Sequence, residues 1–429
     1  MKDKAMKVNF IYLPHPYLNQ PNAQIPLGIF YLASCVEKLV DTKVQNFSAL
    51  TDSQALDQLE EADVFGITVT VLELLQANRF AKKIKEKFPN AKVVLGGAGT
   101  ICDEYVDWTV VDSIIKGEAE ISIFEVLTDI YFGNKRQIYQ GLAVENLDKI
   151  PFPARHLAKD NLGGNIFAYD KQYKGEGSTN LITSRGCPFD CHYCCAKALR
   201  CGKTRFRSPQ NVYDEIKFVQ DTYNIHQFRI ADEMFTADIE RAKEICKLIK
   251  PLNIAWRIST RVKPFSEDLA KTLLDAGCKE ISFGIESFDD DVLLGLNKKA
   301  TARDNANALE ICKKVGITTR ALFMIRTPYQ TAKTVEINIA WLRTVPYDII
   351  AVTSFIPLPG SDIWNNPDKH NIEILCKDLD KYNFYFYGSN GKNTLENIIK
   401  IKNRSLEEFN AESEYFREWI EQQGKINRG

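Results

Sequence analysis

Through the first 130 or so positions, short runs of consecutive apolar residues alternate with longer segments in which apolar positions recur at helical spacing. KVNFIYL (7–13), ADVFGITVTV (62–71) and AKVVLGGAGT (91–100) read as strands, and VDSIIKGEAE (111–120) as a short strand with a turn. PLGIFYLASCVEKLV (26–40), opened by a proline, and ANRFAKKIKEKF (77–88) read as helices. Strands apolar on both faces and separated by helices imply a parallel sheet covered on each side, a doubly wound α/β domain over residues 1–140. Ligands of such sheets sit outside the carboxyl ends of the strands. Those ends carry Thr68 and Thr70, then Gly96 and Gly97, then Gly117 and Glu118. Paired glycines lack the Cβ that keeps a flat ligand off the backbone, and threonine hydroxyls can hydrogen-bond its edge. The tight turns of an ordinary domain would leave the same residues. A dinucleotide is disfavoured, because GGAGT is not the six-residue glycine fingerprint and follows a later strand.

Residues 141–180 are rich in Pro, Gly and polar positions and read as a linker. From 181 to 365 a new repeat of strand and helix begins, with strands at 180–186, 226–235, 254–262, 278–287, 318–328 and 347–360. Their ends carry Asp232 and Glu233, Ser259 and Arg261, Glu286 and Ser287, Arg326 and a PLPG turn. Polar clusters recurring at the same end of separate strands mark a candidate active face. Residues 366–429 form an α-rich extension: an aromatic stretch at 380–393, then a helix at 405–423. Ser405 and Glu408 form a capping box for that helix, and Phe409, Tyr415 and Phe416 dock it on the barrel.

Composition narrows the class. A length of 429 residues suits two domains, 45% hydrophobic content supplies ample core, and a net charge of -1 points to neither nucleic acid nor an anionic membrane. The start of the chain holds no apolar run long enough for a signal peptide or a spanning helix, which predicts a cytoplasmic protein. In that reducing compartment, eleven cysteines suggest metal or catalysis rather than disulfides. Five fall in SRGCPFDCHYCCAKALRCG (184–202). Cys187, Cys191 and Cys194 are spaced C-x3-C-x2-C on the loop after a strand, and three such thiolates can hold three corners of a four-iron cluster. Zinc normally takes four closed ligands as two separated pairs, and no second pair is evident. Cys195 reads as packing, and Cys201 as a redox-active or methyl-accepting thiol or as a bystander. Cys246, Cys278 and Cys312 read as core. The basic run 197–207 places Lys203, Arg205 and Arg207 where an anionic substrate or an electron donor would meet them, or on a solvated face.

The CPFDCHYC spacing and the six strands that follow resemble the radical SAM superfamily. The resemblance implies a partial, six-stranded TIM-like barrel. It implies a 4Fe-4S cluster whose open iron chelates S-adenosylmethionine (SAM), cleaved by one electron to a hydrogen-abstracting 5′-deoxyadenosyl radical. Glu233 then stands where the family binds the SAM ammonium. Glu286 would meet its ribose or methionine end, Arg261 its carboxylate and Tyr193 its adenine, with Ser259 and Ser287 also contacting SAM. IPLGIFYLAS, ADVFGITVT, KVVLGGAGT, VDSIIKGEAE and LDKIPFPARH extend the likeness to the cobalamin-binding branch, so that the first domain is Rossmann-like and Gly96 and Gly97 pack against cobalamin. The D-x-H-x-x-G cobalt-ligand motif is absent, and His15, in YLPHPYLNQ, reads as an ordinary loop residue rather than a cobalt ligand. That branch implies an anaerobic methyltransferase acting on an unactivated carbon or phosphorus of a small molecule, served by an external donor such as flavodoxin or ferredoxin. Its alternatives are a cyclase or ring-rearranging enzyme without net methyl transfer, and a radical SAM enzyme that has lost cobalamin. A second cluster is not expected, with only Cys35 and Cys102 before the linker and only Cys376 beyond Cys312.

Overall fold

The computed structural model describes residues 5–16, 18, 20–134, 136–158, 162–164, 166–167, 177–199, 203–382 and 398–423. Backbone contacts divide them into two compact units, one ending at Asn180 and one beginning at Leu181, with Leu199 and residues 379–382 grouped with the first.

The first unit is built on a six-stranded sheet: β1 (Lys7–Tyr12), β2 (Asp41–Asn46), β3 (Val64–Thr68), β4 (Lys92–Gly96), β5 (Ser113–Lys116) and β6 (Ile138–Gln140). The order is β2-β1-β3-β4-β5-β6 and the pairings are parallel. Val8, Phe10, Val64, Phe65, Val93 and Ile114 are buried, as both-face apolar strands require. Helices Leu27–Val36, Leu74–Lys87 and Ser122–Tyr131 connect the strands. β2 was not anticipated: DTKVQN has no apolar run, and its place at the sheet edge leaves its side chains exposed or half-buried. β1 lies between β2 and β3, so the connections depart to opposite sides there, and the crevice outside the ends of β1 and β3 is the expected ligand position.

The second unit places β7 (Ser178–Leu181), β10 (Gln227–Ile230), β11 (Ala255–Thr260), β12 (Cys278–Glu286), β13 (Thr318–Ile325) and β14 (Ile349–Ser354) in chain order, with helices between, as the partial barrel required. β10 to β14 pair in parallel. One face of this sheet carries Phe228, Trp256, Ile281, Phe283, Ala321 and Phe323, all buried. It is the helix-covered face: Trp256 donates its indole N–H to the Ala276 carbonyl at 2.7 Å, just past helix Glu267–Asp275. The opposite, inner face carries Arg229, Arg257, Glu280 and Arg320 together with Ser259 and Ser282. The strand expected over 180–186 is broken. After Leu181, the pair β8 (Ser184–Arg185) runs antiparallel to β9 (Arg205–Phe206). The break follows from buried Asp232, whose carboxylate accepts from the Thr183 N–H and hydroxyl and from the Ser184 hydroxyl at 2.5–2.7 Å.

The C-terminal helix Leu406–Gln422 begins at Ser405, whose hydroxyl accepts from the Glu408 N–H at 3.4 Å. The return half of the expected capping box is not made, and Glu408 is exposed. Phe409 and Phe416 are buried as expected, whereas Tyr415 is 54% exposed and docks nothing. The Phe416 ring meets Phe323 of β13 at 5.9 Å between centroids. Phe416→Ala is expected to destabilise the second unit by about 3–5 kcal/mol, read as a lowered urea midpoint. Arg205 and Arg207 are also buried, against the expectation of a solvated basic face. The Arg207 guanidinium pairs with fully buried Glu215 and donates to the Ile182 carbonyl, bracing the strand that leads to the cysteines. Cys246, Cys278 and Cys312 are core thiols as expected. Cys201 and the aromatic stretch from residue 383 lie outside the described residues.

Candidate functional site

Cys187, Cys191 and Cys194 sit on the loop after β8, unpaired by any disulfide. Cys191 is buried, Cys187 half-buried and Cys194 exposed. The other two thiols both act electrostatically on that of Cys194, so the three share one neighbourhood. Burial raises the Cys187 thiol above its ordinary range. Arg261 supplies the counter-charge. Its Nη1 donates to Cys191 Sγ at 3.2 Å, its Nη2 to the Lys298 carbonyl, and the guanidinium lies 3.9 Å from the centre of the Phe189 ring. Arg261, expected at the SAM carboxylate, is therefore engaged at a cysteine instead.

The loop is held by its neighbours. His192 accepts from the Ile363 N–H and donates its own N–H to the Leu296 carbonyl, both at 3.0 Å, while its Nδ1 lies 2.8 Å from the Gly295 carbonyl. Asn297 donates to the Asp190 carbonyl at 3.0 Å. The segment after helix Asp290–Gly295 is thus laced to the cysteine loop, and it delivers Lys298, a residue that sequence reasoning missed. Lys298 is 3% exposed, and its Nζ lies 2.7 Å from Glu286 Oε1 and 3.3 Å from the Tyr193 hydroxyl. Tyr193 donates to the same carboxylate at 2.9 Å. Burial and then the Glu286 charge hold the Tyr193 hydroxyl far above its ordinary pKa. Glu286 ends β12 in a left-handed conformation, φ 62°, after a register shift in the pairing with β13. Gly284 leaves room for this pair, since a Cβ there would come within 2.5 Å of Glu286 Oε1 and 2.7 Å of Lys298 Nζ.

Among the other SAM candidates, Glu233 accepts from the Gly186 N–H at 3.2 Å and so lies at the cysteine loop. Ser259 sits on the inner face in register with Ser282, below that cluster. Ser287 does not join: its hydroxyl donates to Asn338 at 3.1 Å and accepts from the Asp289 N–H at 3.0 Å. The left-handed turn at Glu286 sends the following residue into this internal network. Arg326, also left-handed, donates its N–H to Gln330 at 3.0 Å.

In the first unit the six expected positions separate. A Cβ at Gly96 would meet nothing within 4 Å, leaving open space at the end of β4. Gly97, at φ 94°, would place one 2.6 Å from the Val69 carbonyl and 2.9 Å from the Thr68 hydroxyl, so it serves strand packing. Thr70 caps a short helical turn by accepting from the Leu72 N–H at 3.2 Å, and its hydroxyl also bonds Glu73. Gly117 turns the chain at φ 111°, and the buried Glu118 carboxylate accepts from the Val144 N–H at 3.2 Å. His15 differs from an ordinary loop residue: it is 4% exposed, with Nδ1 3.7 Å from Glu73 Oε1 and its ring 4.5 Å from that of Tyr12. Burial lowers its pKa. Its Nε2 is enclosed and makes no hydrogen bond among the described residues.

Residues 181–342 match the radical SAM superfamily profile. The chain is 29% identical over 410 residues to the uncharacterized methyltransferase PH0819 of Pyrococcus horikoshii, spanning 89% of this chain and 84% of that one. It is equally 29% identical over 415 residues to the anaerobic magnesium-protoporphyrin IX monomethyl ester cyclase of Rubrivivax gelatinosus, spanning 88% and 72%. The methyltransferase TsrM of Kitasatospora setae, solved with cobalamin and a [4Fe-4S] cluster, superposes at a TM-score of 0.64 over 89% of this chain and 82% of its own. At 16% identity that likeness is one of fold. The thiol triad on the first loop and the acidic and basic groups at the strand ends beside it all fall within the matched stretch, so residues 181–342 form a radical SAM domain.

Proposed function

We propose that the protein is a cobalamin-dependent radical SAM methyltransferase acting on an unactivated carbon, or phosphorus, of a small molecule. The observation that carries this reading is the assembly of three closely spaced thiols, Arg261 and the Tyr193–Glu286–Lys298 network at one end of the second unit's sheet. The donor set fits a cluster with one open iron, since the loop offers three thiols at cluster spacing. Among the described residues, the atoms close enough to share a single ion belong to His192, Asp362 and His370, not to the cysteines.

Cys187, Cys191 and Cys194 would hold the cluster, Glu233 the SAM ammonium, Glu286 its ribose or methionine end, and Lys298 its carboxylate. When bound, the cluster and SAM would supply radical chemistry at an unactivated position, and cobalamin would supply the methyl carrier. Arg261 would hold Cys191 in place through its hydrogen bond to Sγ. Buried Lys298 holds the Glu286 carboxylate oriented with no water between them. The inner face of the barrel encloses the substrate and keeps bulk water from the reacting centre. In the first unit, Gly96 and Thr68 at the strand ends would border the corrinoid. The electron comes from an external donor of the flavodoxin or ferredoxin class, and the protein works in the cytoplasm. No helix among the described residues is long and apolar enough to cross a membrane.

The corrinoid content of protein made anaerobically with cobalamin and a reconstituted cluster tests the reading. About one corrinoid per chain is expected, and none in a protein that still cleaves SAM overturns it. Gly96→Ala should leave the melting temperature unchanged and weaken corrinoid retention about tenfold. Gly97→Ala should instead destabilise the first unit by about 2 kcal/mol, because its Cβ would press on the Val69 carbonyl. A cyclase without net methyl transfer is the second reading, favoured by the cyclase relative at the same 29% identity. Labelled methyl transfer from SAM to product separates the two.

A further inference from the structure

The inner face of β10 to β13 carries charge that the cluster and SAM do not use. Arg229 of β10 is in register with Arg257 of β11, and Arg257 with Glu280 of β12. Arg320 of β13 is one step higher, opposite Ser282. Glu280 is fully buried and is shared: Arg320 Nε donates to it at 2.9 Å, and Arg257 Nη1 lies 3.5 Å away. Arg229 makes no hydrogen bond or ion pair among the described residues. Burial, then the charges of Arg257 and Arg320, push its guanidinium down to about 10, opposed only by Glu280. A half-buried guanidinium repelled by two others is costly to maintain unless an anion completes the group.

Space above the arginines fits an occupant. Between them and Glu286 the inner-face positions are Ser259, Ser282, Gly284, Leu322 and Ala351, of which only Leu322 is the bulky branched side chain that filled barrels carry there. Only Gly284 has a structural duty, beneath the Glu286–Lys298 pair. Arg257 lies in β11 and Arg261 one residue past its end, about 13 Å apart if the extended rise continues.

We infer that Arg229, with Arg257 and Arg320, binds an oxyanion of the substrate, a carboxylate or phosphate roughly 10 Å from the carbon that reacts at the strand ends. This rests on the radical SAM reading for the site above it. Arginine forks suit planar or tetrahedral oxyanions through paired charge-assisted bonds. The selectivity is for a molecule long enough to span the barrel and anionic at the far end, and it disfavours a neutral sterol-like or purely hydrocarbon substrate.

The test uses the reconstituted full chain and follows thermal stability against inorganic phosphate and, separately, acetate, with chloride at matched ionic strength as reference. A saturable rise with either anion is expected; the stronger one identifies the substrate's acid group. Arg229→Gln should weaken that response about tenfold or more, and Arg229→Lys, which keeps the charge without the fork, should weaken it less. Uncoupled SAM cleavage should be unchanged in both variants. No response beyond chloride in the wild-type protein, or an undiminished response in Arg229→Gln, overturns the proposal. Absence of SAM cleavage in all three proteins, with the anion response intact, would instead remove the radical SAM reading on its own.

Discussion

Cys191→Ala is expected to abolish SAM cleavage, by about 10³-fold or more, and to lower the iron content of reconstituted protein to background. A thousandfold loss corresponds to about 4 kcal/mol of transition-state stabilisation, and a missing cluster ligand removes the chemistry rather than weakening it. Cys191 is the most buried of the three thiols and the one that receives Arg261. Its loss leaves that guanidinium facing an apolar methyl group, so an iron-free protein that still melts cooperatively is the expected state. Cys195→Ala, one residue past a ligand, should retain both iron and activity. Corrinoid retention should survive in both variants, because the proposed corrinoid surface lies in the first unit. A Cys191→Ala protein that keeps its iron and cleaves SAM would sink the ligand assignment.

Legibility in the sequence followed how local each feature is. The thiol triad is a spacing within eight residues, and nothing distant is needed to read it. The both-face apolar strands were equally plain, since each buries itself whatever its neighbours are. β2 escaped because an edge strand needs no apolar run. Polar residues at strand ends were found, but their partners were not. Arg261 is aimed at Cys191 because the loop bearing Lys298 closes over it, and Ser287 is drawn into the Asn338 network by the left-handed turn before it. Lys298 carries no local signal: LNKKAT looks like an exposed loop, and only the Gly295–Asn297 contacts to the cysteine loop bury it. The basic run was misread for the same reason, because Glu215, which neutralises Arg207, lies a helix turn and a half inside the next element.

That hidden lysine sets the second large expectation. Lys298→Met should destabilise the second unit by about 3–5 kcal/mol. The partner carboxylate is left buried with one neutral donor, Tyr193, in place of a cation at 2.7 Å. The pair's side chains are 4% and 10% exposed, so solvent cannot take the lysine's place and surface screening does not soften the loss. Glu286→Gln should cost a similar amount, by stranding the ammonium. The double variant Lys298→Met, Glu286→Gln should recover most of the stability, because burying neither charge removes both the attraction and the desolvation penalty. SAM binding separates a structural pair from a working one. If the two residues only brace the loop, the double variant should bind SAM as the wild type does once it is refolded. If they hold SAM's carboxylate and its ribose or methionine end, the double variant should be stable yet bind SAM at least about tenfold more weakly, with iron content unchanged. We expect the second outcome, since a cation buried against the cysteine loop is otherwise a costly way to hold a turn.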